Sequence, residues 1–264
     1  MRFIVILMLL ISTAGFAQKK KKGKEEPAQQ PATTQQQAPQ QQTPPQQEQT
    51  QAQPTDTIPS ASQILTEHFL RKYATAERWN DAELMKSALL DIIVENPGYD
   101  SLIAELGYFY YAEQKYASSL LIAQDLLRRQ PKNVDYLEMA ATSAQQLGAG
   151  EKALESYESL YLINNNIRTL YQIAFLQYQL KRFAECATSI DIIMGKPELK
   201  DEKATFQDAK GASKEYAMKV PVLNLKGLML LDQGDKIGAK KAFTEALALA
   251  PDFVLAKQNL EKTK

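Results

Sequence analysis

Side chains able to do bond-making chemistry are scarce in this chain, and their spacing favours contact over catalysis. There is one histidine, His68, and one cysteine, Cys186. A lone cysteine excludes an internal disulfide and any multi-cysteine metal cluster. A lone histidine leaves a zinc site or a histidine-based relay with a single contributor. Cys186 stands where small residues recur, which suits a core side chain, and His68 reads as a residue that packs or caps a helix. Glu and Lys pairs recur at helix-surface spacing, where solvated i,i+4 partners are the default. No glycine-rich phosphate loop and no acidic loop with calcium-ligand spacing occurs. The expectation is therefore a chain with no catalytic residue, no metal and no cofactor.

Charge and composition narrow the partners. Lys plus Arg and Asp plus Glu both number 31 among 264 residues, so no basic excess points to nucleic acid. Hydrophobic residues at 44% and charged ones at 23% allow a buried core. The length accommodates about two domains.

The first 57 residues read as address and tether. A short basic start, Met1 and Arg2, precedes the apolar run Phe3–Ile11, and Gly15 and Ala17 supply small side chains before Gln18. Residues 1–17 thus have the layout of a secretory signal peptide cleaved near Ala17. Their apolar run is well short of the ~20 residues a spanning helix needs. The expected destination is the periplasm or the extracellular space. The competing reading is an uncleaved N-terminal membrane anchor, which gains weight from Lys19–Lys22 and Lys24, because positive charge there opposes export. No cysteine lies near residue 17 to carry a lipid, and a single thiol suits a periplasmic chain. From Pro27 to Pro54, 13 of 28 residues are Gln and six are Pro. Such a stretch cannot bury enough surface to offset the entropy of ordering it. Residues 18–57 are therefore expected to be a disordered linker reaching on the order of 35 Å. The run Lys19–Lys24 either makes weak contact with an anionic surface or simply keeps the tail soluble.

Beyond residue 57 the sequence repeats. Pro97, Pro131 and Asn165 are evenly spaced, 34 residues apart. Gly107, Ala141, Ala174 and Gly227 follow steps of 34, 33 and 53, and Ser119, Ala153, Cys186 and Ala239 follow the same steps. Two independent markers sharing one set of steps are the signature of a repeat architecture. Within a unit, apolar residues recur at helical spacing, as in Ile103, Leu106, Gly107 and Tyr110. A polar break follows (Glu113-Gln114-Lys115; Asp232-Gln233-Gly234-Asp235), then a second helical stretch that ends at the proline or asparagine. Asn80-Asp81-Ala82-Glu83 reads as a capping box opening such a helix. No stretch shows β alternation bounded by turn residues, so strands are not expected. Small residues at the helix crossing let two antiparallel helices approach closely.

The pattern resembles the tetratricopeptide repeat (TPR), carried by Ile103-x2-Leu106-Gly107-x2-Tyr110…Pro131 and Leu223-x2-Lys226-Gly227-x2-Leu230…Ala239-x3-Phe243…Pro251. Middle units read Leu137-x2-Ala140-Ala141…Ala153-x3-Tyr157 and Leu170-x2-Ile173-Ala174…Cys186. The resemblance implies an all-α fold: a right-handed α-solenoid of stacked helix-turn-helix hairpins over residues 58–264, behind the disordered tail. Its repeats would span about 66–99, 100–133, 134–166, 167–197 and 220–253, with a polar C-terminal cap helix at 254–264. The 53-residue step leaves an insertion near 198–217. It is read as a solvated helical extension or loop, or else as a flap over one end of the array.

The same resemblance implies a function. In the family, the first helices of successive units line a concave groove that holds a peptide or a partner's helix. The corresponding stripes here are Ala104-Tyr108-Tyr111, Glu138-Thr142-Gln145, Tyr171-Phe175-Tyr178 and Asn224-Leu228-Leu231, with Arg168 beside them. Aromatic anchors of this kind often carry interface energy. Alternatively, the rings fill a tightly wound superhelix or pack on the insertion. The Lys/Asn/Arg clamp with which some members hold a C-terminal carboxylate is absent, because Ala104, Tyr108, Glu138, Met139 and Arg168 stand at those places. The expected role is a non-enzymatic adaptor of the cell envelope that binds another protein or peptide. The alternative is a structural array that associates with itself as a homo-oligomer.

Overall fold

The computed structural model describes residues 59–208 and 210–264. The expected signal peptide and linker lie outside these residues. Eleven α-helices run through the described residues: α1 (Ala61–Arg78), α2 (Ala82–Glu95), α3 (Asp100–Ala112), α4 (Tyr116–Arg129), α5 (Val134–Gln146), α6 (Gly150–Asn164), α7 (Ile167–Gln179), α8 (Phe183–Gly195), α9 (Lys219–Asp232), α10 (Lys236–Leu249) and α11 (Val254–Glu261). Each helix packs on the next, pair by pair, from α1 on α2 to α10 on α11, and α3 also meets α5, as α7 meets α9. This is an α-solenoid of stacked hairpins. None of the described helices is long and apolar enough to cross a membrane.

Short polar side chains set where five of these helices start. Ser60 accepts the Gln63 amide, and the Gln63 side chain accepts the Ser60 amide, a reciprocal cap that starts α1 ahead of residue 66. Asp81, Asn133, Asn166 and Asp235 cap α2, α5, α7 and α10. At α2 the expected box is only half made: Asp81 accepts from Leu84, and Leu84 has no polar side chain with which to answer.

The five turns inside hairpins share one geometry. Asn80, Gln114, Gly148, Lys181 and Gly234 all adopt positive φ, between 55° and 88°. In each turn the next residue's N–H reaches back five residues, as Lys115 does to the Tyr110 carbonyl and Asp235 to the Leu230 carbonyl. This is a Schellman closure, in which a left-handed residue turns the chain while satisfying the last carbonyls of the helix. Gly148 and Gly234 adopt it freely; Gln114 and Lys181 adopt it against the clash of a Cβ.

Small residues stand where the paired helices cross. A methyl group at Gly227 would overlap the ring of Phe243 on α10, and one at Gly107 would lie 2.6 Å from the Met139 sulfur and 3.0 Å from Ile122. Ala141, Ala153, Ala174, Cys186 and Ala239 are fully buried. One continuous core runs from Ala104 to Ala256.

The insertion corrects the sequence reading, because it contains strands. After a 3₁₀ turn at Pro197–Lys200, β1 (Lys203–Gln207) pairs antiparallel with β2 (Ser213–Ala217). Ala204, Phe206, Lys214 and Tyr216 share one face of this hairpin through the pairings Ala204↔Tyr216 and Phe206↔Lys214. Phe206 and Tyr216 are buried edge-on against Phe253, with ring centroids 5.3 and 5.0 Å away. Lys214 pairs with Asp252, and the Tyr216 hydroxyl reaches the same carboxylate at 3.4 Å. Asp208 closes the turn by accepting the Lys210 and Ala212 amides. Two charges, two small residues and two polar ones (Lys203, Glu215, Ser213, Ala217, Thr205, Gln207) make up the outer face, and only two large apolar side chains marked the inner one, so the alternation was weak in sequence. The insertion is neither a helical extension nor a solvated loop. It braces the junction of α10 and α11.

Candidate functional site

Four first helices, α3, α5, α7 and α9, carry the stripes. Each stripe occupies three positions along its helix, and the structure treats those positions differently. The leading position is buried in three of four: Ala104 at 7% exposure, Tyr171 at 4% and Asn224 at 6%. Only Glu138 is exposed there. The second and third positions, namely Tyr108, Tyr111, Thr142, Gln145, Phe175, Tyr178, Leu228 and Leu231, all keep contact with solvent. The accessible lining is thus narrower than the stripes, since residues four and seven places along a helix are neighbours on one face while the leading residue tilts into the core.

Tyr171 and Asn224 belong to the interior. Tyr171 lies beside the Cys186 thiol, and burial raises its phenol well above the ordinary tyrosine range. The thiol itself is pushed up to about 12 by burial, so Cys186 is inert rather than nucleophilic at neutral pH. Asn224 accepts a hydrogen bond from Asn259 of α11 at 3.0 Å, which fastens the last helix to α9. Arg168 is exposed but pairs with Glu202 of the insertion at 3.0 Å. Of the groups capable of chemistry, His68 is an exposed residue of α1 stacked edge-on against Phe69 at 5.4 Å. Among the described residues no group of three His, Cys, Asp or Glu could hold a metal ion.

Two aromatic sections remain. In the α3–α5 section, Tyr108 is 48% exposed, and Tyr111 stands edge-on to Tyr116 of α4 at 5.3 Å. Partial burial, with Asp135 and Glu138 nearby, pushes the Tyr108 phenol up to about 12. Loss of water around Glu138, with Asp135 beside it, raises the Glu138 carboxyl above the usual carboxylate range. Thr142 Oγ1 donates back to the Glu138 carbonyl at 2.7 Å. Gln145 accepts from the Tyr157 hydroxyl at 3.0 Å.

The α7–α9 section is more apolar. Tyr178 lies 6.3 Å from the Phe183 ring, and burial together with Asp232 pushes its phenol up to about 12. Phe175, Leu228 and Leu231 complete the section.

Three contributors escaped the sequence reading: Tyr157, Asp135 and Asp232. Tyr157 stands in a core slot of the repeat, where its ring is buried, but its hydroxyl extends to Gln145. A hydroxyl in a slot that phenylalanine fills elsewhere was the available signal. Nothing in the spacing of Asp135 or Asp232 distinguishes them from surface charges, since the phenols they act on, Tyr108 and Tyr178, lie on other helices.

Comparison with known proteins bears on the fold. No protein-family model matches the sequence, and no curated protein does. Among solved structures, YrrB, a TPR protein with an unusual peptide-binding site, aligns with 76% of this chain and 98% of its own, at 13% identity and a TM-score of 0.59. A MamA protein aligns with 75% of this chain and 94% of its own, at 10% identity and a TM-score of 0.54. A fragment of MamA from Desulfovibrio magneticus RS-1 aligns with 71% and 96%, at 12% identity and a TM-score of 0.54. At such identities the likeness is one of architecture, and the stacked hairpins of this chain have the fold of tetratricopeptide-repeat proteins.

Proposed function

We propose that this chain is a non-enzymatic interaction scaffold that holds a peptide or a helix of a partner protein along its first helices. The observation that carries this reading is the line of partly exposed apolar side chains, Tyr108, Tyr111, Phe175, Tyr178, Leu228 and Leu231, on helices whose opposite faces are already packed. A helix apolar on both faces carries either more core or a binding surface. YrrB, which shares the architecture, has a peptide-binding site. Paired Tyr111→Ala and Phe175→Ala changes are expected to lower capture of crosslinked partners while the chain stays folded. Equal recovery by the double variant and the wild type would count against the groove.

The same proposal places the scaffold in the cell envelope, exported by residues 1–17 and tethered by the Gln/Pro-rich linker. Intact mass of the mature protein tests this, with a start at Gln18 expected; a retained Met1 would favour the anchor instead.

A second reading, self-association, draws on the first hairpin. Ile64, Leu65, Leu70, Trp79 and Val94 are exposed there, Trp79 at 71% and Val94 at 76%. Light scattering separates the readings, because a scaffold without its partner keeps a constant mass on dilution and a homo-oligomer does not.

A further inference from the structure

The α3–α5 section differs from its neighbours in charge as well as in aromatics. Helices α3 and α5 carry four carboxylates, Asp100, Glu105, Asp135 and Glu138, and no lysine or arginine. Two of the four are answered: Arg129 pairs with Asp100 at 2.9 Å, and Glu105 accepts the Tyr73 hydroxyl. Asp135 and Glu138 have no cation at pairing distance among the described residues, where Arg168, the nearest basic residue along the following first helix, is engaged with Glu202. Gly107 of α3 packs closely on Met139 of α5, which brings Tyr108 toward Glu138, and the charges of Asp135 and Glu138 raise the Tyr108 phenol. Aromatic faces and a carboxylate on one wall attract the same kind of group, a cation on an apolar stem.

We propose that the α3–α5 section selects a lysine or arginine side chain presented by an otherwise apolar segment of a partner protein, with Glu138 and Asp135 facing the charge and Tyr108 and Tyr111 facing the stem. This rests on the groove reading above and gives the groove a polarity. The charge fits a basic ligand, opposite to the carboxylate ligand of a Lys/Asn/Arg clamp.

The test uses the full chain and a fluorescent short peptide of leucine and alanine carrying two lysines, against the same peptide with norleucine in place of lysine. The lysine peptide is expected to bind roughly tenfold more tightly, and less so as salt rises. Glu138→Gln is expected to weaken it roughly threefold to tenfold while leaving the norleucine peptide unchanged. Equal binding of both peptides, with no effect of Glu138→Gln, overturns the cation preference and leaves the groove standing. Failure of both peptides to bind overturns it too; if the Tyr111→Ala, Phe175→Ala variant also recovers partners as the wild type does, the groove itself has failed. The measurements are repeated on a chain with Lys19–Lys22 and Lys24 changed to Gln. Binding of the lysine peptide only to that chain would mean that the chain's own basic run fills the section, which overturns the assignment to a partner.

Discussion

Two stretches of first helices, α3–α5 and α7–α9, were built from one repeat grammar and ended differently. In the α3–α5 section, the stripe positions leave Tyr108 half exposed and Glu138 exposed, with Asp135 beside it on the same helix. Across α7–α9 both leading positions, Tyr171 and Asn224, are buried, whereas in α3–α5 Ala104 is buried and Glu138 is not, and the accessible remainder of α7–α9 is nearly all apolar. The difference lies in what each section is packed on. The C-terminal section is braced by the β-hairpin on Phe253 and by α11, whose Asn259 hydrogen bond holds Asn224 in the interior. The α3–α5 section has only its flanking hairpins behind it. Repeat position sets the direction of a side chain; tertiary neighbours set whether water reaches it.

The largest effect expected is on the brace. Phe253→Ala removes the ring that both Phe206 and Tyr216 pack against, and should cost about 3–5 kcal/mol in denaturant unfolding. If the two sections are as different as described, hydrogen exchange should rise around α9–α11 and stay unchanged in α3–α5. A uniform rise would break the comparison.

A pH titration sharpens it. The Tyr108 and Tyr178 phenols are both raised to about 12 in the fold, against about 10 in an unfolded chain. A raised folded pKa gives stability that is complete below pH 10 and is lost as pH climbs through 12. Tyr108→Phe and Tyr178→Phe should each flatten that loss. Ultraviolet absorbance should further show that Asp135→Asn lowers the apparent pKa of Tyr108 and leaves that of Tyr178 alone.

A smaller gain is expected at the turns. Lys181→Gly relieves a positive-φ residue at the end of α7 and should stabilise by about 0.5–1 kcal/mol, as measured by thermal melting. Gly148 and Gly234 already hold the same conformation without a Cβ.

The smallest effect carries an instructive sign. Because the Glu138 carboxyl is raised, its ionised form is disfavoured by the fold, and Glu138→Gln should stabilise slightly at neutral pH. Solvent screening of this exposed group limits the gain to about 0.5 kcal/mol or less. A clear loss of stability instead would mean that Glu138 is a structural partner rather than an open one.

Much of this was legible beforehand because periodicity survives sequence drift. The steps of 34, 33 and 53 shared by two sets of small residues fixed the hairpin rhythm, and Gly227 under the Phe243 ring shows why: the contact tolerates no added methyl. The left-handed turn residues at 80, 114, 148, 181 and 234 keep nearly the same rhythm, although glycine occupies only two of them. The strands of the insertion are not legible in sequence, because five-residue strands with one large apolar side chain each offer too short an alternation to separate from a solvated loop. Within the stripes, the i, i+4, i+7 spacing named the right helices but could not rank their positions by exposure.

What the amino-acid order determined alone is therefore local and periodic: where helices start and stop, which residues must be small, and which faces are apolar twice over. The stacked fold follows from these, because each hairpin can bury its second face only on the next. Only the tertiary structure decided that Tyr171 is core and Tyr108 is surface, that Tyr108 of α3 meets the Asp135 and Glu138 charges of α5, and that a β-hairpin props the final helices. Those outcomes depend on contacts between residues far apart in the chain, whose free energy is absent from any short window of sequence.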